Sequence, residues 1–340
     1  MTKLTSSSPP TSPAPTSSSS LSLQQLAELE QIYNGGSVNR VMKFTDIPDS
    51  TKGAQSQAVS MASTLDQFAS KGISPLVVME PVSDSSGNPV DFQAYRNGAY
   101  DSILSTYFQT LKGHGISDAM MGMWVYFPEA NLPEWGPVDQ SDFAPNVVRT
   151  AQLQKQYFPN SLSSIMLDAE SYPAGSTSWS SGSYVSLAPF INGIPSGLID
   201  SFGLQGFPWV PAANVSGQAS SLNPAVYLNS SLAAAAAKQL GVSQIWLNTG
   251  TFAASYTNNP SQTVNMTAAQ RQAILNGVLQ QATDLKSAGF GVAVNLFSED
   301  KSNTSEATDL SYQTSDAQAV LKNFASQLQS AGIGFWLFSG

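Results

Sequence analysis

The sequence has no cysteine and only one histidine among its 340 residues. The lack of cysteine excludes disulfides and thiolate metal sites. The lone histidine, His114, stands directly before a predicted strand, at the end of the sheet where no site is expected. A single imidazole supports neither a histidine-based zinc site nor a Ser-His-Asp triad in this place. We therefore expect no metal and no other cofactor.

Charged residues are also scarce. They make up 11% of the chain, against about 25% in an ordinary soluble protein. Lysine and arginine together number 14, acidic residues number 23, and the net charge is -9. Such a surface repels phosphate groups, so we expect neither nucleic acid nor an anionic membrane as a partner. A neutral substrate fits this charge balance better, and we expect the protein to be a monomer.

Long apolar runs are missing as well, since none approaches the roughly 18 residues that a membrane span requires. No apolar signal segment is visible at the start, although we expect an extracellular or periplasmic location. Residues 1–20 are rich in Ser, Thr and Pro instead, a composition that buries too little apolar surface to fold. We predict a disordered tail over 1–20 and a single domain over 21–340, beginning with a helix from Leu21 to about Tyr33.

From residue 38 onward, short apolar runs alternate with amphipathic segments. The runs predict strands at Val38–Phe44, Pro75–Met79, Ala119–Phe127, Ser164–Leu167, Ile199–Phe207, Gln244–Leu247, Gly291–Phe297 and Ile333–Phe338. The segments predict helices at Gln57–Ser70, Tyr95–Lys112, Asp142–Tyr157, Val185–Ile191, Ser230–Leu240, Thr267–Ser287 and Asp316–Ser330. A glycine, which can take the left-handed conformation that ends a helix, precedes many of the strands: Gly72, Gly115, Gly241, Gly289 and Gly332.

This alternation predicts an α/β fold with parallel strands and right-handed crossovers. Eight strand–helix units close naturally into a (β/α)8 TIM barrel, here by pairing Ile333–Phe338 with Val38–Phe44. The alternative is an open, doubly wound sheet. No GxGxxG or Walker loop follows any predicted strand, which disfavours a nucleotide-binding version of that sheet.

In a TIM barrel the functional site lies at the carboxyl ends of the strands. Carboxylates, amides and aromatic rings follow the predicted strands here. Cleavage of a glycosidic bond needs one carboxylic acid that protonates the leaving oxygen and a second carboxylate that acts as nucleophile or base. The predicted catalytic residues are Glu129, Glu170 and Asp168. The predicted substrate-binding residues are Glu80, Asn131, Trp135, Tyr172, Gln205, Trp209 and Asn248.

Four blocks of sequence, in this order, resemble glycoside hydrolase family 26, a family of mannanase-like retaining enzymes with a barrel fold. The blocks are Val77–Pro81 (VVMEP), Gly98–Asp101 (GAYD), Phe127–Gly136 (FPEANLPEWG) and Ile199–Phe207 (IDSFGLQGF). The resemblance implies that Glu129 is the acid/base glutamate. It also implies that Asn131 and Trp135 occupy sugar subsites.

The chain departs from the family's pattern at three places. Pro128 replaces the histidine before the acid/base, and Phe207 replaces the tyrosine that supports the nucleophile. The family's nucleophile lies in a Glu-Phe-Gly motif, and the matching residues here are Asn248-Thr249-Gly250. Because an amide cannot carry a covalent glycosyl group, the resemblance implies that the double-displacement mechanism is interrupted at Asn248.

Three interpretations remain open. In the first, another carboxylate takes the second role: Glu170, with Asp168 on the same side of its strand, or Glu80. In the second, the barrel binds sugar without cleaving it. In the third, the alignment near Asn248 is displaced and Glu299 contributes from the next loop.

We expect an endo-acting, mannanase-like glycoside hydrolase that acts on a neutral polysaccharide of the β-mannan or β-glucan type. Paired carboxylates would carry its chemistry. The alternative expectation is a non-catalytic carbohydrate-binding barrel that has lost its nucleophile.

Overall fold

The computed structural model describes residues 38–84, 90–131, 140–168, 187–206, 228–250, 253–254, 263–264, 268–296 and 315–338. The predicted tail over 1–20 and the predicted helix Leu21–Tyr33 lie outside these residues and stay predictions.

The described strands are, in chain order, β1 (Val38–Ile47), β2 (Ser74–Asp84), β3 (Met123–Tyr126), β4 (Leu162–Asp168), β5 (Ser201–Gln205), β6 (Gln244–Thr249), β7 (Ala253–Ala254), β8 (Thr263–Val264), β9 (Gly291–Leu296) and β10 (Gly334–Phe338). The short strands β7 and β8 pair with each other in antiparallel fashion. The other eight form a closed barrel in the order β1-β10-β9-β6-β5-β4-β3-β2. All its pairs are parallel, including β1 with β10, which closes the barrel as the sequence predicts. The fold is a (β/α)8 TIM barrel.

The helices connect successive strands around the outside of the barrel. They are α1 (Thr51–Ser70), α2 (Phe92–Arg96), α3 (Asp101–Gly113), α4 (Asp118–Met121), α5 (Gln140–Tyr157), α6 (Ala188–Ile191), α7 (Ser230–Leu240), α8 (Ala268–Ser287) and α9 (Ser315–Ser330). The five glycines predicted to end helices all have positive φ, between 63° and 93°. Among these described helices, none has the length and apolar character needed to cross a membrane.

Apart from elements whose bounds are shifted, such as the first helix, which begins at Thr51 and not at Gln57, two predicted elements differ from the structure. The predicted strand Ala119–Phe127 begins as α4, because the Ser117 side chain accepts a hydrogen bond from Met120 N (3.3 Å) and starts a helical turn. The predicted helix Tyr95–Lys112 is divided into α2 and α3 at Gly98, whose φ is 92°.

The glycine at this break explains the GAYD block structurally. A Cβ at Gly98 would lie 2.3 Å from the guanidinium of Arg149. That guanidinium pairs with both carboxylate oxygens of Asp101 (2.5 and 2.6 Å). The block therefore joins α3 to α5, and its residues lie on the outer helical layer.

Apolar side chains fill both the space between strands and helices and the interior of the barrel. Trp124 is fully buried in the outer layer, with its ring centroid 5.5 Å from that of Phe108 on α3. Trp246 is fully buried inside the barrel, where its Nε1 donates to Ser164 Oγ (2.9 Å). Both tryptophans are core residues. Gly203 makes room for Trp246, because a Cβ there would lie 2.5 Å from the indole ring.

Candidate active site

The inward-facing positions at the carboxyl ends of the strands carry polar side chains. Side chains alternate along a strand, so a residue two positions beyond an interior apolar side chain faces the same interior. We call these residues the polar ring: Asp46, Glu80, Asp168, Gln205, Asn248 and Asn295. In the strand register Asp46 on β1 is opposite Glu80 on β2. A second set is opposite one another in turn across β4, β5, β6 and β9: Asp168, Gln205, Asn248 and Asn295. Both sets stand at the carboxyl ends of their strands, above the apolar interior.

Glu129 approaches this ring from a strained turn after β3. Phe127 has φ 49° and Glu129 has φ 56°, and this left-handed conformation costs about 1–2 kcal/mol for a residue with a side chain. The main chain of the turn is held on both sides. Phe127 N donates to Met79 O of β2 (3.2 Å), and Glu129 N donates to Met166 O of β4 (3.1 Å). Strain that the surroundings hold in this way is found preferentially at functional sites.

Asn131 joins the same turn to the end of β4. Its Nδ2 donates to Asp168 O (2.7 Å), and its Oδ1 accepts from Asp168 N (2.9 Å). The side chain is buried. Both ends of its amide thus bind the main chain beside a predicted catalytic acid, which fixes Glu129 relative to Asp168. A sugar-subsite role for Asn131 stays a prediction.

The two described catalytic candidates meet at one amide. Gln205 Nε2 donates to a carboxylate oxygen of Glu129 and also to Asp168 Oδ2, the latter at 3.3 Å. Asp168 is 4% exposed and Gln205 2% exposed. A buried carboxylate is costly unless hydrogen bonds stabilise it, and here an uncharged amide supplies one. The structure therefore brings Glu129 and Asp168 together at the mouth of the barrel.

Two further amides continue from Gln205 around the ring. Asn248 Nδ2 donates to Gln205 Oε1 (2.5 Å), and Asn295 Nδ2 donates to Asn248 Oδ1 (2.6 Å). We call Gln205, Asn248 and Asn295 the amide chain. No particular role for Asn295 follows from the sequence, because a single amide at a strand end carries no motif. The strand register and the hydrogen bond to Asn248 show that it belongs to this group.

Glu80 is half-buried and lies in register with Asp46, on the strand that neighbours β3. Its role as a binding residue or second acid stays a prediction. The other predicted site residues lie outside the described residues: Glu170, Trp135, Tyr172 and Trp209, together with Glu299. His114 is exposed at the end of α3, before β3. Within the described ranges, no group of three or more histidine or acidic side chains is arranged to hold a metal ion.

Two adjacent carboxyl groups at a buried strand end can perform acid and base chemistry on a substrate bound above them. One, when protonated, can donate to a leaving oxygen, and the other, when ionised, can attack a carbon or activate water. The Gln205 NH₂ group can hold both acids in place while it stabilises negative charge on either.

The chain matches no protein-family model, and no curated protein matches it in sequence. Solved structures share its fold. A family 1 β-glucosidase from Thermotoga maritima aligns with a TM-score of 0.54 and 12% identity, covering 89% of this chain and 86% of the enzyme. The exo-β-1,4-mannosidase Op5Man5 from Opitutaceae bacterium strain TAV5 aligns with a TM-score of 0.54 and 14% identity, covering 86% of this chain and 54% of that protein. At such identities the likeness concerns the fold, and it agrees with the closed barrel described above.

Proposed function

We propose that this protein is a glycoside hydrolase that acts on a neutral polysaccharide of the β-mannan or β-glucan type. The observation that carries the proposal is the contact of Glu129 and Asp168 with one Gln205 nitrogen at the carboxyl ends of the barrel strands. This is the end of a TIM barrel where active sites lie. Paired carboxyl groups are the chemical requirement for breaking a glycosidic bond.

Glu129 is the proposed general acid. Its proton moves to the glycosidic oxygen while the bond from the anomeric carbon to that oxygen breaks. Asp168 is the proposed second carboxylate, which either attacks the anomeric carbon or takes a proton from the attacking water. Glu170 is the alternative for this second role, because it follows Asp168 by two residues. In either case water supplies the hydroxyl group of the new reducing end.

The substrate class rests on three supporting observations. The net charge of -9 suits an uncharged substrate. The sequence blocks that resemble family 26 glycoside hydrolases point to mannanase-like, endo-acting cleavage. Two proteins of the same fold are a β-glucosidase and an exo-β-1,4-mannosidase by name. The same proposal includes that the enzyme acts outside the cytoplasm and that its substrate is a polymer.

A carbohydrate-binding barrel without catalytic activity is the second candidate. The observation that favours it is the amide at Asn248, where the family resemblance implies a nucleophile. Amides bind sugar hydroxyls through hydrogen bonds but form no glycosyl intermediate.

The deciding experiment measures the release of reducing ends from a panel of neutral polysaccharides. We expect the wild type to act on at least one of them. Glu129→Gln should reduce kcat by about 100-fold or more, because general acid catalysis contributes roughly 10²–10⁴-fold. Asp168→Asn should reduce kcat by at least the same factor. Asp66→Asn, which alters an exposed acid on α1, is the matched control and should keep full activity.

The opposite outcomes separate the two candidates. Equal activity of Glu129→Gln and the wild type would exclude Glu129 as the acid. If the wild type releases no reducing ends from any polysaccharide yet binds one of them, the protein is the non-catalytic barrel.

A further inference from the structure

The amide chain has a defined direction that starts at the acids. A carboxylate only accepts hydrogen bonds, whereas a side-chain amide has a donor end and an acceptor end. Gln205 therefore turns its NH₂ group toward Glu129 and Asp168, which leaves its carbonyl oxygen for the NH₂ group of Asn248. The carbonyl oxygen of Asn248 then accepts from Asn295. Each orientation follows from the one before.

Burial makes this direction costly to reverse. Gln205, Asn248 and Asn295 are 2%, 1% and 0% exposed. Turning one amide over would bring two carbonyl oxygens or two NH₂ groups together, away from water that could compensate. Asn295 Oδ1 has no hydrogen-bond partner among the described residues. The Asn295 end of the amide chain therefore imposes no orientation on the amides. Their orientation is set from the other end, by Glu129 and Asp168.

We infer that Asn248 and Asn295 are positioning residues for the proposed hydrolysis. They hold the Gln205 amide with its NH₂ group on both Glu129 and Asp168. This inference rests on the proposed function and deepens it. It also gives Asn248 a role of its own. The amide at the family's nucleophile position is then a hydrogen-bond donor that Gln205 requires, and not merely the replacement of a nucleophile.

A carboxylate at position 248 would reverse the arrangement. Aspartate there has no hydrogen to donate to Gln205 Oε1 and would attract the Gln205 NH₂ group instead. The carbonyl oxygen of Gln205 would then face Asp168, which is ionised in the proposed mechanism, and acceptor would meet acceptor. The substitution that places a carboxylate at the family's nucleophile position should thus damage the site.

The kinetic test uses the full-length protein and a polysaccharide that the wild type cleaves. Asn248→Asp should lower kcat by about 100-fold, the loss typical of a misplaced catalytic group, with little change in KM. Asn295→Asp removes the donor to Asn248 and should lower kcat in the same direction. The matched control is Thr249→Val, because Thr249 is adjacent, fully buried, and has an Oγ1 without a hydrogen-bond partner among the described residues. It should leave kcat unchanged.

A second measurement does not depend on catalysis. The side-chain NH₂ signals of Gln205, assigned with Gln205→Glu, are followed by two-dimensional ¹⁵N NMR as pH is lowered. In the wild type they should shift when the carboxyl groups that they contact become protonated. In the wild type, adding Glu129→Gln removes one of these carboxyl groups and should change the response. In Asn248→Asp the NH₂ group should contact Asp at position 248 instead, so adding Glu129→Gln should leave the response unaltered, while thermal melting confirms that each variant is folded.

The outcomes are distinct. Wild-type or higher kcat in Asn248→Asp, or the same effect of Glu129→Gln on the Gln205 response in wild type and variant, overturns the inference. A wild type that cleaves no polysaccharide overturns the proposed function, and the NMR comparison then still decides whether Asn248 orients Gln205.

Discussion

A single methyl group added at Gly203 should disrupt the packing of the barrel interior. A Cβ at this residue would lie 2.5 Å from two carbons of the Trp246 indole. The indole is fully buried and bonded to Ser164, so it cannot rotate into solvent. Gly203→Ala therefore has to displace the ring or the strand that carries it.

The expected loss of stability combines two effects. Overpacking of a close-packed core typically costs about 1–3 kcal/mol, and loss of the Trp246–Ser164 hydrogen bond costs about 1 kcal/mol. We expect Gly203→Ala to lower the free energy of unfolding by about 2–4 kcal/mol. Urea titration, followed by tryptophan fluorescence and circular dichroism, measures this value.

A double-mutant cycle identifies the cause. Trp246→Phe should remove the clash. The loss of unfolding free energy in the double variant should therefore be smaller than the sum of the two single losses, by about 0.5–3 kcal/mol. Gly113→Ala is the matched control, because its Cβ would meet no atom within 4 Å, and it should be neutral or slightly stabilising. The explanation fails if Gly203→Ala unfolds at the same urea concentration as the wild type, or if the two losses simply add.

Two other predictions concern the whole barrel. Deleting residues 333–340 removes β10, which pairs with both β1 and β9. The truncated protein should therefore show no cooperative melting transition in calorimetry. A soluble product that melts sharply would contradict closure of the barrel by β10. Burial raises the pKa of Tyr95 and of Tyr126 above the ordinary 10.0. Because the unfolded chain ionises first, their stabilising contribution is complete below about pH 10 and is lost as pH rises further. Urea unfolding at increasing alkaline pH should show this decline, and Tyr126→Phe should make it less steep; an unchanged slope would exclude Tyr126 as a contributor.

The barrel could be predicted from the sequence because its signals are local. Apolar runs of strand length, amphipathic segments between them and helix-ending glycines such as Gly241 and Gly289 all depend on neighbouring residues. The errors occurred where a local signal was overridden. Ser117 caps a helical turn inside an apolar run, and Gly98 interrupts an amphipathic one to admit Arg149.

The candidate site could be predicted only in part. The sequence indicates which polar residues lie at or just after the ends of strands: Glu129, Asp168, Gln205 and Asn248. The barrel then places the carboxyl ends of all its strands at one mouth. Which of them touch depends on the relative register of strands far apart in the chain, which no local pattern specifies. Asn295 shows this clearly, because its contact with Asn248 spans 47 residues.

The way in which Glu129 is held decides how the proposed mutagenesis can be interpreted. The position of Glu129 is set by its own N–H on Met166 O, by Phe127 N on Met79 O and by the two bonds of Asn131 to the Asp168 main chain. None of these involves the Glu129 side chain. Glutamine at 129 should therefore keep the left-handed turn and the fold, since it changes neither the main chain nor the size of the side chain. A loss of activity in Glu129→Gln with unchanged melting would then report the missing proton donor, and a large loss of stability would show that the carboxylate holds the turn itself.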